Sequence, residues 1–341
     1  MHHSFLNSRR KTMLAVPMLV AFLMISCDTT VSTNSGNLGR VLPNITGAAG
    51  EVLVVMDTFN WNNSTGDLMQ DILKEEYPAL PQSEPLFSVI HITAASFDNI
   101  YQYHRSIVMT KVASGLEPAI RFRENVWARP QIVIQMEAST GAELHALIEE
   151  NQDKIQGFLV QYDRKRLMEN YADSKDPALL KELVQNHQVR LGIPRGYNLD
   201  FSTDEYTSIS IETPEHYQVI QVFEFPAGSA DDLNTENLVK QRNKFTRKFV
   251  QGPREGSYMI VAPIFPPITY DLRNNNMNVV EMRGLWELEQ GYMGGPFVSH
   301  AVYDEARGRI VVVDGYVYFP NQKKRTKLRQ LEAIIYSLEL I

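Results

Sequence analysis

The chain contains one cysteine, Cys27, and it stands where a short apolar run ends. No intramolecular disulfide can form, so a chain of 341 residues has to hold its fold by burying a core. Arg9, Arg10 and Lys11 precede an apolar run from Met13 to Ile25 that only Pro17 interrupts. Cations, then an apolar stretch, then a small residue is the order of a secretory signal. The stretch is too short to cross a hydrocarbon core of about 30 Å comfortably as a helix.

The run closes on Met24-Ile25-Ser26-Cys27, which resembles a lipobox with methionine where leucine is usual. The reading is diacylglyceryl attachment to the Cys27 sulfur, cleavage before it, and acylation (palmitate or a similar chain) of the new amine. Two or three acyl chains are enough for stable anchoring, so the membrane is an expected partner through lipid. The plainer reading is a chance cysteine behind an ordinary signal, and it requires the lone cysteine to fall at the end of the run by accident. From Asp28 to Asn44 the chain is rich in Ser, Thr, Asn and Gly without apolar periodicity, as in a flexible tether. The expected organisation is a signal peptide over 1–26, a lipidated tether over 27–44, and globular segments over 45–187 and 188–341.

With 44% hydrophobic and 21% charged residues the remainder is an ordinary globular composition. The formal charge of −7 becomes −10 once the three cations of the leader are removed. A net-acidic chain without a basic, aromatic-studded stripe repels phosphate backbones, so nucleic acid is not an expected partner.

Hydrophobic periodicity lays out the elements. Val52 to Met56 is a continuous apolar run of buried-strand type, and Ser64-Thr-Gly-Asp67 reads as a capping box for a helix that Pro78 stops. Strands are predicted at 86–92, 105–112, 119–126 and 131–137, then one long helix from Thr140 through Tyr162. Asp176-Pro177 opens a shorter helix to His187. In the second segment strands are predicted at 207–212, 217–225, 257–263, 278–287, 297–303 and 309–319, with helices over 235–249 and at the C terminus. The fold class expected is α+β, with two helix-covered, largely antiparallel sheets. Both halves run strand, helix, several strands, closing helix, and that order invites reading them as diverged repeats.

The glycine-rich segments of the second half are the candidates for a binding site. Arg254 and Tyr258 lie in Gly252-Pro-Arg-Glu-Gly-Ser-Tyr258, Arg283 and Trp286 in Arg283-Gly-Leu-Trp286, and Phe297 closes Gly291-Tyr-Met-Gly-Gly-Pro-Phe297. Arginine and tryptophan beside glycine turns suit a carboxylate, phosphate or sugar face. The plainer alternative is a set of hairpin turns with Trp286 and Phe297 in the core and Arg283 paired to a carboxylate. In the first half Trp127 and Arg129 form a similar pair, which would face the same groove or be a packed corner and a surface ion pair. Leu80-Pro-Gln-Ser-Glu-Pro85 reads as a rigid connector. The basic start of the last helix, Lys323 to Arg329, runs against the helix dipole.

No catalytic or metal residue is assigned. His91, His104, His145, His187, His216 and His300 lack the short spacings of zinc sites, and neither a Walker loop nor G-x-G-x-x-G occurs, so no cofactor is expected. Gly-x-Ser-x-Gly is absent as well, and a Ser257–His300–Asp304 set has nothing in the sequence to assemble it.

The lipobox, Leu42-Pro-Asn-Ile-Thr-Gly47, Gly50-Glu-Val-Leu-Val-Val-Met56, Leu80-Pro-Gln-Ser-Glu-Pro85, Gly252-Pro-x-Glu-Gly-Ser-Tyr-Met259, Arg283-Gly-Leu-Trp286 and Met293-Gly-Gly-Pro-Phe297 together resemble a lipoprotein family of the Bacteroidetes catalogued as a domain of unknown function. The resemblance implies an outer-membrane or periplasmic lipoprotein and brings no catalytic residues. Only Asp28 is acidic directly after the cysteine, which favours the periplasmic face. In outline the second half is similar to the Mog1/PsbP-like fold, with Ile193-Pro-Arg-Gly-Tyr197 opening the sheet. The expected function is a non-enzymatic envelope lipoprotein that binds a partner protein or an envelope ligand through a groove lined by Arg283 and Trp286. The alternative is an envelope hydrolase acting on glycan or peptide, using Ser257 or a carboxylate with His300.

Overall fold

The computed structural model describes residues 41–341; the signal segment, Cys27 and the tether up to residue 40 lie outside the described residues. The first half contains β1 (Glu51–Val55), α1 (Thr58–Trp61), α2 (Ser64–Lys74), β2 (Ser88–Ile92), α3 (Asn99–Gln102), β3 (Ser106–Val112), β4 (Ala119–Glu124), β5 (Ile132–Ala138), α4 (Gly141–Glu150), α5 (Gln152–Asp173) and α6 (Pro177–His187). Its sheet has the order β2-β1-β3-β5-β4. β1 lies inside it and is buried on both faces, which is why its sequence is an unbroken apolar run rather than an alternating one. Val52, Val54, Val108, Ile132 and Ile134 pack beneath α2, α4 and α5, and Leu53, Val55, Ile107 and Val133 fill the opposite face.

Local chemistry explains where the elements begin and stop. α2 is capped by Asn63, whose side chain accepts from the Thr65 N–H, one residue before the predicted box. The single long helix expected from Thr140 is two helices, because Asn151 turns its side-chain amide back to the Leu147 carbonyl and leaves helical geometry. α6 starts as predicted, with Asp176 accepting from the N–H groups of Ala178 and Leu179 and Pro177 in the first turn.

The second half follows as β6 (Val189–Arg190), β7 (Asn198–Ser202), β8 (Tyr206–Glu212), β9 (Tyr217–Pro226), α7 (Thr235–Phe249), β10 (Tyr258–Val261), β11 (Ile268–Asn274), β12 (Met277–Glu289), β13 (Gly294–Asp304), β14 (Arg309–Tyr318), α8 (Arg325–Ile335) and β15 (Glu339–Leu340). Its main sheet is β10-β12-β13-β14-β9-β8-β7, with β11 paired to the first part of β12 and β10 to the last. β7 and β11 escape the sequence reading; both are short sheet-edge strands exposed over most of their length, although Leu199 and Phe201 in β7 and Ile268, Tyr270 and Leu272 in β11 alternate with polar residues as a strand's do.

Every residue of a strand faces opposite to its neighbours, and this sorts the second sheet into two cores. Val279, Val298, Val313 and Val317 face α8, whose Leu328, Leu331 and Ile335 join the first half's core. Val280, Met282, Trp286, Phe297 and Tyr316 face the other way, towards Leu238 and Phe245 of α7. Residues Leu42–Ile341 thereby form one compact unit, and α8 packs on both the second sheet and α5.

The α+β class is as expected, and the sheets taken together are mostly antiparallel. Two parts of the expectation need correction. In the first sheet β1 pairs β2 and β3 in parallel, β3 pairs β5 in parallel, and only the β4–β5 pair is antiparallel. The second main sheet is antiparallel throughout. Strand orders this different do not superpose, so the two halves are not diverged repeats. Similar runs of strands and helices along a sequence do not specify how the strands pair.

Candidate functional site

Arg283 and Trp286 are three residues apart on β12, an odd spacing that sends their side chains to opposite faces of the sheet. They cannot line one groove, and the expected Arg–Trp site divides into two different structures.

On the α8 face, Arg283 is 5% exposed and sits in a buried ionic network. Its Nε donates to Glu281 at 2.7 Å and its Nη1 to Glu332 of α8 at 2.6 Å. The Tyr77 hydroxyl also bonds Glu332, and Arg164 of α5 lies over the Tyr336 ring at 3.4 Å. The plainer sequence reading of Arg283, paired to a carboxylate, is what the geometry presents. Burial pushes the Glu281 carboxyl up, but the Arg283 charge and the His300 hydrogen bond outweigh it and leave Glu281 below the usual carboxylate range. His300 Nε2 lies 3.1 Å from Glu281, while its Nδ1 is buried with no partner among the described residues. Burial lowers the His300 pKa, and since the Glu281 carboxylate can only accept, the proton of this contact belongs to His300 Nε2.

Trp286 is buried in the other core, its indole N–H donating to the Val317 carbonyl at 3.2 Å. The glycine motif opposite explains the fit. Gly295 pairs with Trp286 across the strands, and a Cβ there would lie 2.0 Å from the Val317 oxygen and 3.1 Å from the Trp286 nitrogen. Gly252 and Gly291 both lie against Leu288, where a Cβ would come within 2.7 Å and 2.5 Å of its side chain. Two glycine segments distant in sequence, Gly252–Tyr258 and Gly291–Phe297, thus close around Trp286 and Leu288.

Beside Trp286 they leave a pocket of about 270 Å³ walled by Leu288, Met259, Met293, Tyr316 and Tyr318, with Gly252-Pro253 and Tyr217 at its edge. No Lys, Arg, Asp, Glu or His side chain lines it. The rings meet at angles favourable to aromatic pairs: Trp286 is edge-on to Tyr316 at 5.5 Å, and Tyr318 stacks with Tyr217 at 5.7 Å between centroids. Tyr316 and Tyr318 were not among the sequence candidates. The available signal was their period-2 spacing on β14, with Val317 between them facing the other core.

The remaining candidates are scattered. Phe297 is fully buried, with the Arg242 guanidinium 3.9 Å from its ring centroid. Tyr258 is half-buried under Arg247, and Arg254 is exposed, its backbone carbonyl accepting from the Ser257 hydroxyl. Trp127 meets Phe97 edge-on at 5.4 Å over the small core of the first sheet, and Arg129 is exposed, its backbone N–H donating to the Pro43 carbonyl. The first-half pair therefore forms a packed corner of a different core and does not share the Trp286 pocket.

Ser257, His300 and Asp304 are not assembled. Ser257 packs against Gly252 beside Leu288, His300 belongs to the opposite face, and Asp304 pairs with Arg307 and Arg309. Among the described residues no group of three or more His, Cys, Asp or Glu side chains is placed to hold a metal, and no helix is long and apolar enough to cross a membrane.

Comparison with known proteins places two family matches end to end. Residues 46–172 match a domain of unknown function, DUF8532, and residues 176–337 match a second, DUF4837. No curated protein sequence matches the chain. Among solved structures, LpqN of Mycobacterium tuberculosis, described as involved in cell envelope biogenesis, is 12% identical over 43% of this chain and 79% of its own, with a TM-score of 0.27. The Ran-binding protein Mog1p of Saccharomyces cerevisiae is 8% identical over 45% of this chain and 90% of its own, with a TM-score of 0.29. At these scores neither likeness, the Mog1-like outline included, carries an argument about this chain.

Proposed function

We propose that the chain is a cell-envelope lipoprotein, anchored through lipid on Cys27 at the periplasmic face of the outer membrane, which acts as a binding module through the pocket beside Trp286. The observation that carries the binding reading is that pocket's construction. Two separate glycine segments pack around Trp286 and Leu288 to leave an uncharged, aromatic-walled recess on a chain whose formal charge is −7. Such a recess suits one bulky apolar group of a partner or ligand, the kind of anchor that dominates binding energy. The ion-paired groups Arg283, Glu281 and Glu332 are buried against one another and do not line it, and Tyr316, which does, carries a hydroxyl whose pKa burial pushes up, keeping it neutral. The anchor reading rests on Met24-Ile25-Ser26-Cys27 behind a signal-like leader.

Two measurements test the two parts separately. Metabolic labelling with a fatty-acid probe should mark the wild-type chain and leave Cys27→Ser unmarked; an unlabelled wild-type chain removes the anchor. Affinity capture from solubilised membranes should retain a discrete species that Met293→Trp, which fills the pocket, no longer retains while melting normally. Capture indifferent to pocket filling, or turnover of envelope material by purified chain that retains nothing, overturns the binding reading.

A further inference from the structure

The loop between β10 and β11 holds out two apolar side chains that no described residue covers. Ile264 is 76% exposed and Phe265 55%, braced by Pro263, Pro266 and Pro267. From Gly256 through Tyr270 there is no Lys, Arg, Asp or Glu, and Ile268 and Tyr270 are exposed as well. Across from this loop Tyr292, at the turn between β12 and β13, is 76% exposed. Phe265 joins the parts: it lines one recess with Leu80 and Pro81 and another with Tyr292 and Met293. The second recess shares Trp286, Leu288 and Met293 with the pocket described above, so the surface continues to that pocket's mouth.

Isolated exposed apolar residues are ordinary, whereas a contiguous group on a charge-free, proline-braced loop marks an interaction surface. Its apolar tips are neutral, while Glu287 lines the recess between Phe265 and Tyr292. Its margin carries both signs, with exposed Arg254 5.8 Å from the Tyr292 ring and exposed Glu255 and Glu289 close in sequence to the same turns. Aliphatic and phenyl tips beside a tyrosine, whose ring is apolar and whose hydroxyl stays wet, fit the boundary between acyl chains and headgroups. A margin of mixed sign favours zwitterionic over anionic lipid.

Chain length permits the contact. About fifteen residues separate Cys27 from Leu42, a reach of at most about 50 Å. Past that point the fold leads towards the patch. A Cβ at Gly50 would lie 3.5 Å from Arg325, Arg325 donates to the Pro85 carbonyl at 2.5 Å, and Pro81, four residues earlier, lines a recess with Phe265. Four residues span at most about 14 Å.

We propose that Ile264, Phe265 and Tyr292 form a membrane-contact surface that dips into the interface of a zwitterionic bilayer and turns the Trp286 pocket towards it. The proposal rests on the lipid-anchor reading only for what brings the chain to the bilayer, and its test removes that anchor. Residues 27–341 carrying Cys27→Ser are sedimented with vesicles of phosphatidylethanolamine and phosphatidylcholine. The chain should partition to the vesicles, Ile264→Ser and Phe265→Ser should each lower the partition coefficient about tenfold, and Tyr292→Ser should lower it too. Phe59→Ser, which removes another phenylalanine that is 79% exposed, should leave it unchanged. All four sites are exposed, so unchanged melting shows that a loss is not unfolding. Absence of partitioning overturns the proposal, as does a partition indifferent to the loop substitutions or lowered equally by Phe59→Ser. A photocrosslinker at position 265 that traps a protein in cells, while the chain ignores vesicles, assigns the surface to a protein partner instead. Failure of Cys27 labelling is a separate result and leaves this experiment readable.

Discussion

The carboxylate of Glu84 caps the N-terminus of α8: one oxygen accepts the Lys324 N–H at 2.5 Å and the Arg325 N–H at 3.2 Å. A carboxylate on the unpaired N–H groups of a helix start is favourable for both hydrogen bonding and dipole. It also accounts for the basic cluster that opposes the dipole of α8. Arg325 donates to the Pro85 carbonyl and Ser88 hydroxyl, and Arg329 to the Leu86 carbonyl and Asp163, so both cations bind the segment that Glu84 belongs to. Leu80-Pro-Gln-Ser-Glu-Pro85 is thus more than a connector, since it fastens α8 to the first sheet.

Glu84→Gln keeps the shape and removes the charge. With Glu84 buried, the loss should be about 1–3 kcal/mol of unfolding free energy, measured by urea denaturation. Glu84→Ala should cost more than Glu84→Gln, because no side-chain acceptor remains for the two N–H groups.

Removing one member of the Arg283–Glu281–Glu332 network should be far worse than removing all of it. Arg283→Met leaves two buried carboxylates without their main partner and should cost about 3–5 kcal/mol. Combining it with Glu281→Leu and Glu332→Leu should recover much of that loss, since desolvation of the three charges is then relieved. Equal or additive losses across single and triple variants, by denaturant melts, would show that the pairs are independent.

Acid should destabilise the fold in two stages. The His300 pKa is lowered from 6.5, first by burial, so below about pH 6.5 the unfolded chain binds a proton that the folded one refuses. The Glu281 pKa is lowered from 4.5 because Arg283 and His300 outweigh its desolvation. Its contribution is fully present above that value and lost as pH falls towards the folded one. His300→Gln should flatten the slope of stability against pH between about 5 and 7, where one group contributes at most about 1.4 kcal/mol per pH unit. Denaturant midpoints across that range read the slope directly, whatever the variant's overall stability.

Two glycines should respond differently to the same methyl group. At Gly295 a Cβ would meet the Val317 backbone oxygen at 2.0 Å, which cannot move without breaking the β13–β14 ladder, so Gly295→Ala should cost at least about 3 kcal/mol and disturb Trp286 fluorescence. At Gly256 the backbone has φ +78° and nothing lies within 4 Å, so Gly256→Ala should cost only about 1 kcal/mol of backbone strain. Thermal melts of the pair separate close packing from backbone conformation.

Local pattern alone determined a good deal. The apolar run of β1, the helix over 235–249, the Asp176-Pro177 start and most second-half strands follow from periodicity and capping, which act within a few residues. The end of the signal-like run and the lone cysteine are likewise matters of local order in the chain. What sequence could not determine is which residues meet. Arg283 and Trp286 read as neighbours, yet the two-residue repeat of a strand, in a sheet buried on both faces, sends one to an ionic network and the other to an aromatic pocket. Glu84 and Lys324 are 240 residues apart, and the parallel order of the first sheet depends on crossovers that any similar run of elements could make differently. Pairing, face and partner are fixed by burying many distant surfaces at once, and that choice exists only in the folded chain.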